Sequence, residues 1–198
     1  MPKIWAETLD AHRERLRRLI GQAAAQLVAE HGLDGASMSE LARRVGVSRP
    51  TLYQYCSSVA DGLLEWAAAE MARFAAELTD VVAATSDPHA SLRAFVETHI
   101  TYFASADHTT AVAIRQLGLS HVVSERLAEH TAPIQQVLTR LLTRGRQRGE
   151  FAADTPLDLQ ARLIMQIIAG ARDEVVHGDA DPGTVSAAVI AILERGLT

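Results

Sequence analysis

Between Ser37 and Tyr55 the chain reads SMSELARRVGVSRPTLYQY, and no other stretch narrows the possible folds as much. Ser37 followed three residues later by Glu40 is a capping-box pattern, in which each side chain bonds the other residue's backbone N–H. Leu41, Ala42 and Val45 then recur at helical spacing as one apolar stripe. Gly46 supplies a turn, because it accepts backbone angles that other residues resist. Val47 points back toward a core, and Ser48 caps a second helix. Pro50 is tolerated in that helix's first turn, where no intrahelical N–H bond is lost. Leu52 is the second helix's apolar anchor, which leaves Arg49, Thr51, Tyr53, Gln54 and Tyr55 largely outside. A cation among hydroxyls, an amide and aromatics suits a surface that meets phosphates and base edges. Two short helices joined by a tight turn are a helix-turn-helix with a recognition helix.

With those residues in view, LARRVGVSRPTLYQY resembles the DNA-binding segment of the tetracycline-repressor (TetR) family of bacterial transcriptional regulators. The close match covers residues 12–64, behind one long N-terminal helix. The resemblance implies an all-α chain with two domains. Residues 1–58 form a three-helix helix-turn-helix DNA-binding domain, and residues 59–198 a helical ligand-binding and dimerisation domain. It implies a ligand-responsive regulator, a repressor that binds a palindromic double-stranded DNA operator as a homodimer and is released by a small-molecule effector. The dimer contact falls to the last two long helices. The family's DNA contacts carry over to Ser37 and Ser39 on the second helix, and to Arg49, Pro50, Thr51, Tyr53 and Tyr55 on the recognition helix. Arg49 is the expected base reader, since a guanidinium fork matches O6 and N7 of guanine. Tyr53, Tyr55 and Ser37 are expected to set register through phosphates. Two positions depart from the family pattern. Cys56 stands where an aromatic is usual, which weakens packing under the recognition helix, and Val59 stands where a lysine usually adds a phosphate contact.

The net charge of −5 seems to oppose nucleic-acid binding, but the charge is unevenly placed. Residues 1–58 hold eight Lys/Arg against six Asp/Glu, a net of +2, and residues 59–198 hold eleven against eighteen, a net of −7. A mildly basic head on an acidic body fits DNA binding by one end only. The N-terminal segment MPKIWAETLDAH lacks the apolar core of a secretory signal, and no apolar run is long enough to span a bilayer, so a cytoplasmic protein without membrane contact is expected. The single cysteine excludes an internal disulfide framework and a Cys-rich metal site. None of the eight histidines falls in an HExxH pattern, GxSxG is absent, and so is a Gly-rich phosphate loop. Neither catalytic residues, a metal site nor a cofactor is expected. The reading that competes with the regulator is a helical dimeric protein-interaction module that does not bind DNA.

Helical spacing organises the rest. A first helix over 13–31 places Leu16, Leu19, Ile20, Ala23, Leu27 and Val28 on one face, with Gly32 as its left-handed terminus. Arg13, Arg15, Arg17 and Arg18 cluster at its start, either as solvated charge or near flanking phosphates. A helix over 58–84 opens with Ser58 and Asp61. Asp87-Pro88 opens another, with the stripe Leu92, Phe95, Val96, His99, Ile100, Phe103. A helix is expected over 107–117, and one resumes near Thr131 and Pro133. Asp154-Thr155-Pro156 and Asp181-Pro182 open the last two long helices by a cap followed by a proline. LIMQIIAGA (163–171) is apolar nearly all round, so it must be covered on two sides. Burial on the chain's own core and on a second copy satisfies this, in agreement with the dimer implied by the resemblance. The resemblance also implies an effector pocket in the body, for which the candidates are Trp66, His99, Tyr102, Phe103, Arg115, Gln116, His121, Met165 and Arg172. His99 serves equally as a hydrogen-bonded core histidine. Arg115 suits carboxylate recognition or a snorkelling side chain.

Overall fold

The computed structural model describes residues 3–105 and 131–197, and every regular element among them is a helix. The expected helix over 107–117, with Arg115, Gln116 and His121, lies outside the described residues. The chain divides into two compact units whose border in the described chain falls between Glu70 and Met71.

The first unit contains α1 (Lys3–Gly35), α2 (Met38–Val45), α3 (Arg49–Tyr53) and the opening turns of α4 (Val59–Ala83). Its core joins Ile20, Ala24, Leu27 and Val28 of α1 to Leu41, Leu52 and Leu63. Three expectations for α1 are corrected. The helix begins at Lys3 rather than Arg13, since no glycine or proline interrupts residues 3–20. Leu19 is 46% exposed, because Ile20 takes the core position. Successive helical residues point about 100° apart, so the two cannot share the centre of one face. Gly32 does break the helix at positive φ, but with ψ 168 it is extended rather than left-handed helical, and a short turn follows to Gly35. Gly46 (φ 76, ψ 31) is left-handed helical and donates its N–H to Ala42 O at 3.0 Å, closing α2 and freeing the chain to turn into α3.

The second unit contains the remainder of α4, α5 (Pro88–Phe103), α6 (Ala132–Gln147), α7 (Leu157–Gly170), α8 (Arg172–Val176) and α9 (Pro182–Leu197). The stripe foreseen on α5 is buried in full, with Leu92, Phe95, Val96, His99, Ile100 and Phe103 all enclosed. Asp87 caps α5 by accepting from His89 N at 3.0 Å, and Asp181 caps α9 by accepting from Thr184 N at 3.0 Å. The start of α7 is different from expectation. Helix begins at Leu157, with Pro156 in the cap position and no side-chain cap bond. Arg146 holds this entrance instead, donating to Thr155 O at 2.5 Å and Gln160 Oε1 at 2.9 Å. Likewise Thr131 makes no side-chain cap for α6. The two faces of α7 separate: Ile164 and Ile168 enter the core, while Leu163 and Ile167 are 52% and 37% exposed.

Candidate functional site

The surface formed by α2 and α3 is built by caps and ion pairs. Ser37 accepts from Glu40 N at 3.2 Å, which is half of the expected box. The other half is absent because the Glu40 carboxylate turns to two guanidiniums. It accepts from Arg43 Nε at 2.9 Å and Nη2 at 2.5 Å, and from Arg44 Nε at 3.4 Å. A charge-assisted bidentate pair outcompetes a single bond to a backbone N–H. The Arg43 hydrogen bonds, with those of Arg44, pull the Glu40 carboxyl from the usual value down to about 2. Arg44 also reaches across to the Glu30 carboxylate of α1 with both terminal nitrogens. Its hydrogen bond to Glu30 is the main reason its own pKa is raised, so Arg44 is a fixed cation that ties α2 to α1.

In α3, Ser48 caps by accepting from Thr51 N at 3.2 Å, and its hydroxyl lies 2.7 Å from Thr51 Oγ1. Arg49 lies along the outer face of the helix, its guanidinium 6.0 Å from the Tyr53 ring centroid and Nη2 donating to Tyr53 Oη at 3.5 Å. Ser37, Ser39, Arg49, Pro50 and Tyr53 are exposed, and the structure brings them onto the two short helices that the turn at Gly46 joins. Thr51 and Tyr55, read as outside, are half-buried. Tyr55 packs on the apolar core because the chain leaves α3 at Gln54 and turns its side chain inward, and the Thr51 hydroxyl is engaged by Ser48. Arg13, Arg15, Arg17 and Arg18, within α1, are exposed, and Arg17 faces Glu14 at 3.8 Å.

Both departures from the family pattern look different in three dimensions. Cys56 is 3% exposed and lies within the core, where burial above all pushes its thiol up to about 11. Val59 is only 5% exposed and belongs to the same core, so its side chain points inward rather than toward a phosphate. Position 59 is thus a core position of this chain. Ser58 accepts from Asp61 N at 3.1 Å and Asp61 accepts from Ser57 N at 2.9 Å, a locked turn that directs Val59 beneath α3.

Of the effector candidates, His99, Tyr102 and Phe103 come together in the second unit with Phe74 and Phe95. Tyr102 stacks on Phe74 at 4.1 Å, and His99 meets Phe74 and Phe103 edge-on at 5.1 and 5.2 Å. Met165 packs on the same apolar core. Trp66 is instead a core residue of the first unit, and Arg172 pairs with the neighbouring Asp173 at 3.1 Å. Sequence reasoning missed the Glu30–Arg44–Glu40–Arg43 chain. Glu40 with Arg43 and Arg44 at i+3 and i+4 was the available signal. Among the described residues, no group of His, Cys, Asp and Glu could hold a metal ion, and no helix is long and apolar enough to cross a membrane.

Comparison with known proteins places this geometry. Residues 20–58 match the family model "Bacterial regulatory proteins, tetR family", and residues 85–173 match "Tetracyclin repressor-like, C-terminal domain". The chain is 27% identical over 158 residues to the fatty acid metabolism regulator protein of Bacillus subtilis (strain 168), covering 78% of each. Its fold is similar to that of the fatty acid degradation regulator FadR from Bacillus halodurans, with a TM-score of 0.80, 26% identity, and coverage of 92% of this chain and 96% of that one. It is also similar to FadR from Bacillus subtilis, solved in complex with stearoyl-CoA, with a TM-score of 0.77, 23% identity, and coverage of 91% and 98%.

Proposed function

The chain belongs to the tetR family of bacterial regulatory proteins and is a ligand-responsive DNA-binding transcriptional regulator, and from that premise we propose that it is a cytoplasmic repressor released from a palindromic operator by a long-chain fatty acyl thioester. The observation that carries the DNA side is the exposed Arg49 at the first turn of a capped, turn-anchored α3. Two such helices in a dimer enter successive major grooves about one helical turn apart. Arg49 reads a guanine edge, Ser37, Ser39 and Tyr53 hold phosphates, and Pro50 and Thr51 lie against the groove. Tyr55 supports α3 from beneath, since it is half-buried on the core.

The dimer is formed by α7 and α9. Leu159, Leu163 and Ile167 recur along α7 at a spacing of four, and they are 39%, 52% and 37% exposed; Ile192 of α9 is 57% exposed. An apolar stripe left open on one protomer is the pattern of a surface closed by a second copy. The effector class is supported by the stearoyl-CoA complex of the Bacillus subtilis protein and by the ring cluster around Phe74 and His99, which suits an apolar chain. Release requires the effector to prefer the conformation that fits DNA less well. A hundredfold loss of operator affinity needs a hundredfold preference between the two states.

The test is selection of bound sequences from random duplex DNA, followed by titration of the selected complex with stearoyl-CoA and with free CoA. The expected result is a palindromic consensus and a complex that stearoyl-CoA dissociates and free CoA does not. Enrichment of no sequence would leave the protein-interaction module as the better reading. A selected complex indifferent to stearoyl-CoA would reject the effector class while keeping the regulator.

A further inference from the structure

A second feature of the body stands apart from the ring cluster. Thr79, Val82 and Ala83 of α4 and Val137, Arg140, Leu141 and Arg144 of α6 line a groove of about 230 Å³ within the second unit. Its floor is apolar, since Val82, Val137 and Leu141 are buried core residues. Arg140 and Arg144 stand one helical turn apart on its rim. Among the described residues neither meets a carboxylate. Arg144 Nη2 donates to Ser91 Oγ at 2.5 Å and to Val82 O at 3.4 Å, both neutral acceptors, and its Nε is buried with no acceptor. Arg140 is exposed, and Asp158 lines a separate groove with it without pairing to it.

Two cations at i and i+4 repel each other, and a buried N–H without an acceptor costs free energy. The repulsion is relieved by one oxyanion placed between the guanidiniums, whose terminal N–H groups suit carboxylate or phosphate. The volume is below that of a pocket for a drug-sized molecule, so it admits a head group and a short apolar segment. We propose that this groove is a binding site for a small amphiphilic oxyanion, its head held by Arg140 and Arg144 and its short alkyl part lying on Val82, Val137 and Leu141. The site stands independently of the acyl-thioester reading, because it uses none of the effector candidates.

Calorimetric titration of the full chain at low salt with octanoate, octyl phosphate and inorganic phosphate tests it. Octanoate or octyl phosphate is expected to bind one per chain, and whichever binds more tightly identifies the head group as carboxylate or phosphate. Arg140→Gln is expected to weaken that binding about tenfold, the effect of one charge-assisted contact. Because Arg144 also holds the end of α4, it is tested as Arg144→Lys, which keeps the charge, loses the fork and is expected to weaken binding while leaving the melting temperature near that of the wild type. Asp158→Asn removes the carboxylate that lines the neighbouring groove with Arg140 and is expected to tighten binding slightly. Failure of all three probes to bind, or undiminished binding by Arg140→Gln, overturns the site. Inorganic phosphate that binds as tightly as octyl phosphate overturns the apolar part of the assignment.

Discussion

Neutralising Glu40 should change how the protein responds to salt on DNA. Arg43 is the reason. Its side chain is 73% exposed and lies four residues from Ser39, on the same face of α2, yet the Glu40 carboxylate occupies it through two hydrogen bonds of 2.9 and 2.5 Å. A cation held in that way offers little to a phosphate. Glu40→Gln leaves Arg44 anchored to Glu30 but releases Arg43, and raises the net charge of residues 1–58 from +2 to +3. One additional phosphate neutralised per protomer is two in the proposed dimer. Each contributes about −0.9 to the slope of log K against log salt, so the slope should steepen by about 1.8. Between 50 and 200 mM salt this is roughly an extra tenfold loss of affinity. At low salt the variant should bind operator and random DNA more tightly by the same factor. Fluorescence anisotropy on both DNAs over a salt series measures it. An unchanged slope would refute the reasoning, because it would place Arg43 away from the DNA backbone. A gain confined to the operator would refute it differently, by making Arg43 a base reader.

The remaining predictions follow from burial and exposure. Arg49→Ala should cost about 1–3 kcal/mol on the selected operator and relax one base position per half-site, whereas equal losses on random DNA would assign Arg49 to phosphate alone. Val59→Lys places a cation in the core and should lower unfolding stability in urea by about 2–4 kcal/mol; a variant as stable as the parent would mean that the side chain escapes to solvent. A Cβ at Gly145 would lie 2.1 Å from Phe151 Cδ2, so Gly145→Ala should cost about 1–3 kcal/mol through overpacking, partly restored by Phe151→Leu in a double-mutant cycle. Leu163→Glu should yield monomer in sedimentation without loss of helix by circular dichroism, and a dimeric variant would remove α7 from the interface. In acid the Glu40 pairs give a further readout. The carboxyl titrates below its unfolded value, so its contribution is complete above about pH 4.5 and is lost as pH falls toward about 2. Glu40→Gln should flatten the stability profile in that window only.

What the sequence made legible, and what it hid, follows from the range over which each interaction acts. The turn at Gly46, the Ser48 cap and the buried stripe of α5 depend on residues a few positions apart, and all three appear in the structure as the spacing implied. Leu19 failed by a single position, since two adjacent leucine-type residues satisfy the same helical pattern and only the partner helix selects Ile20. Asp154-Thr155-Pro156 reads as a cap followed by a proline inside the helix, whereas the helix starts only after that proline, at Leu157. The entrance is instead held by Arg146, ten residues upstream, which no local pattern announces.

Val59 carries the sharpest lesson for function. Resemblance assigned a role to the position, and from that role a missing lysine seemed to leave a gap in the phosphate contacts. The turn made by Ser57, Ser58 and Asp61 rotates the side chain inward, where it joins Cys56 and Leu63 beneath α3. Valine thus completes the core beneath α3. Arg43, exposed on α2 and paired with Glu40, is the cation that the salt series above tests. Carrying a contact from a family onto a chain consequently requires two facts about the position, its residue type and the direction of its side chain. At Arg49 the side chain is exposed, as a contact requires. At Val59 the second places the side chain in the core.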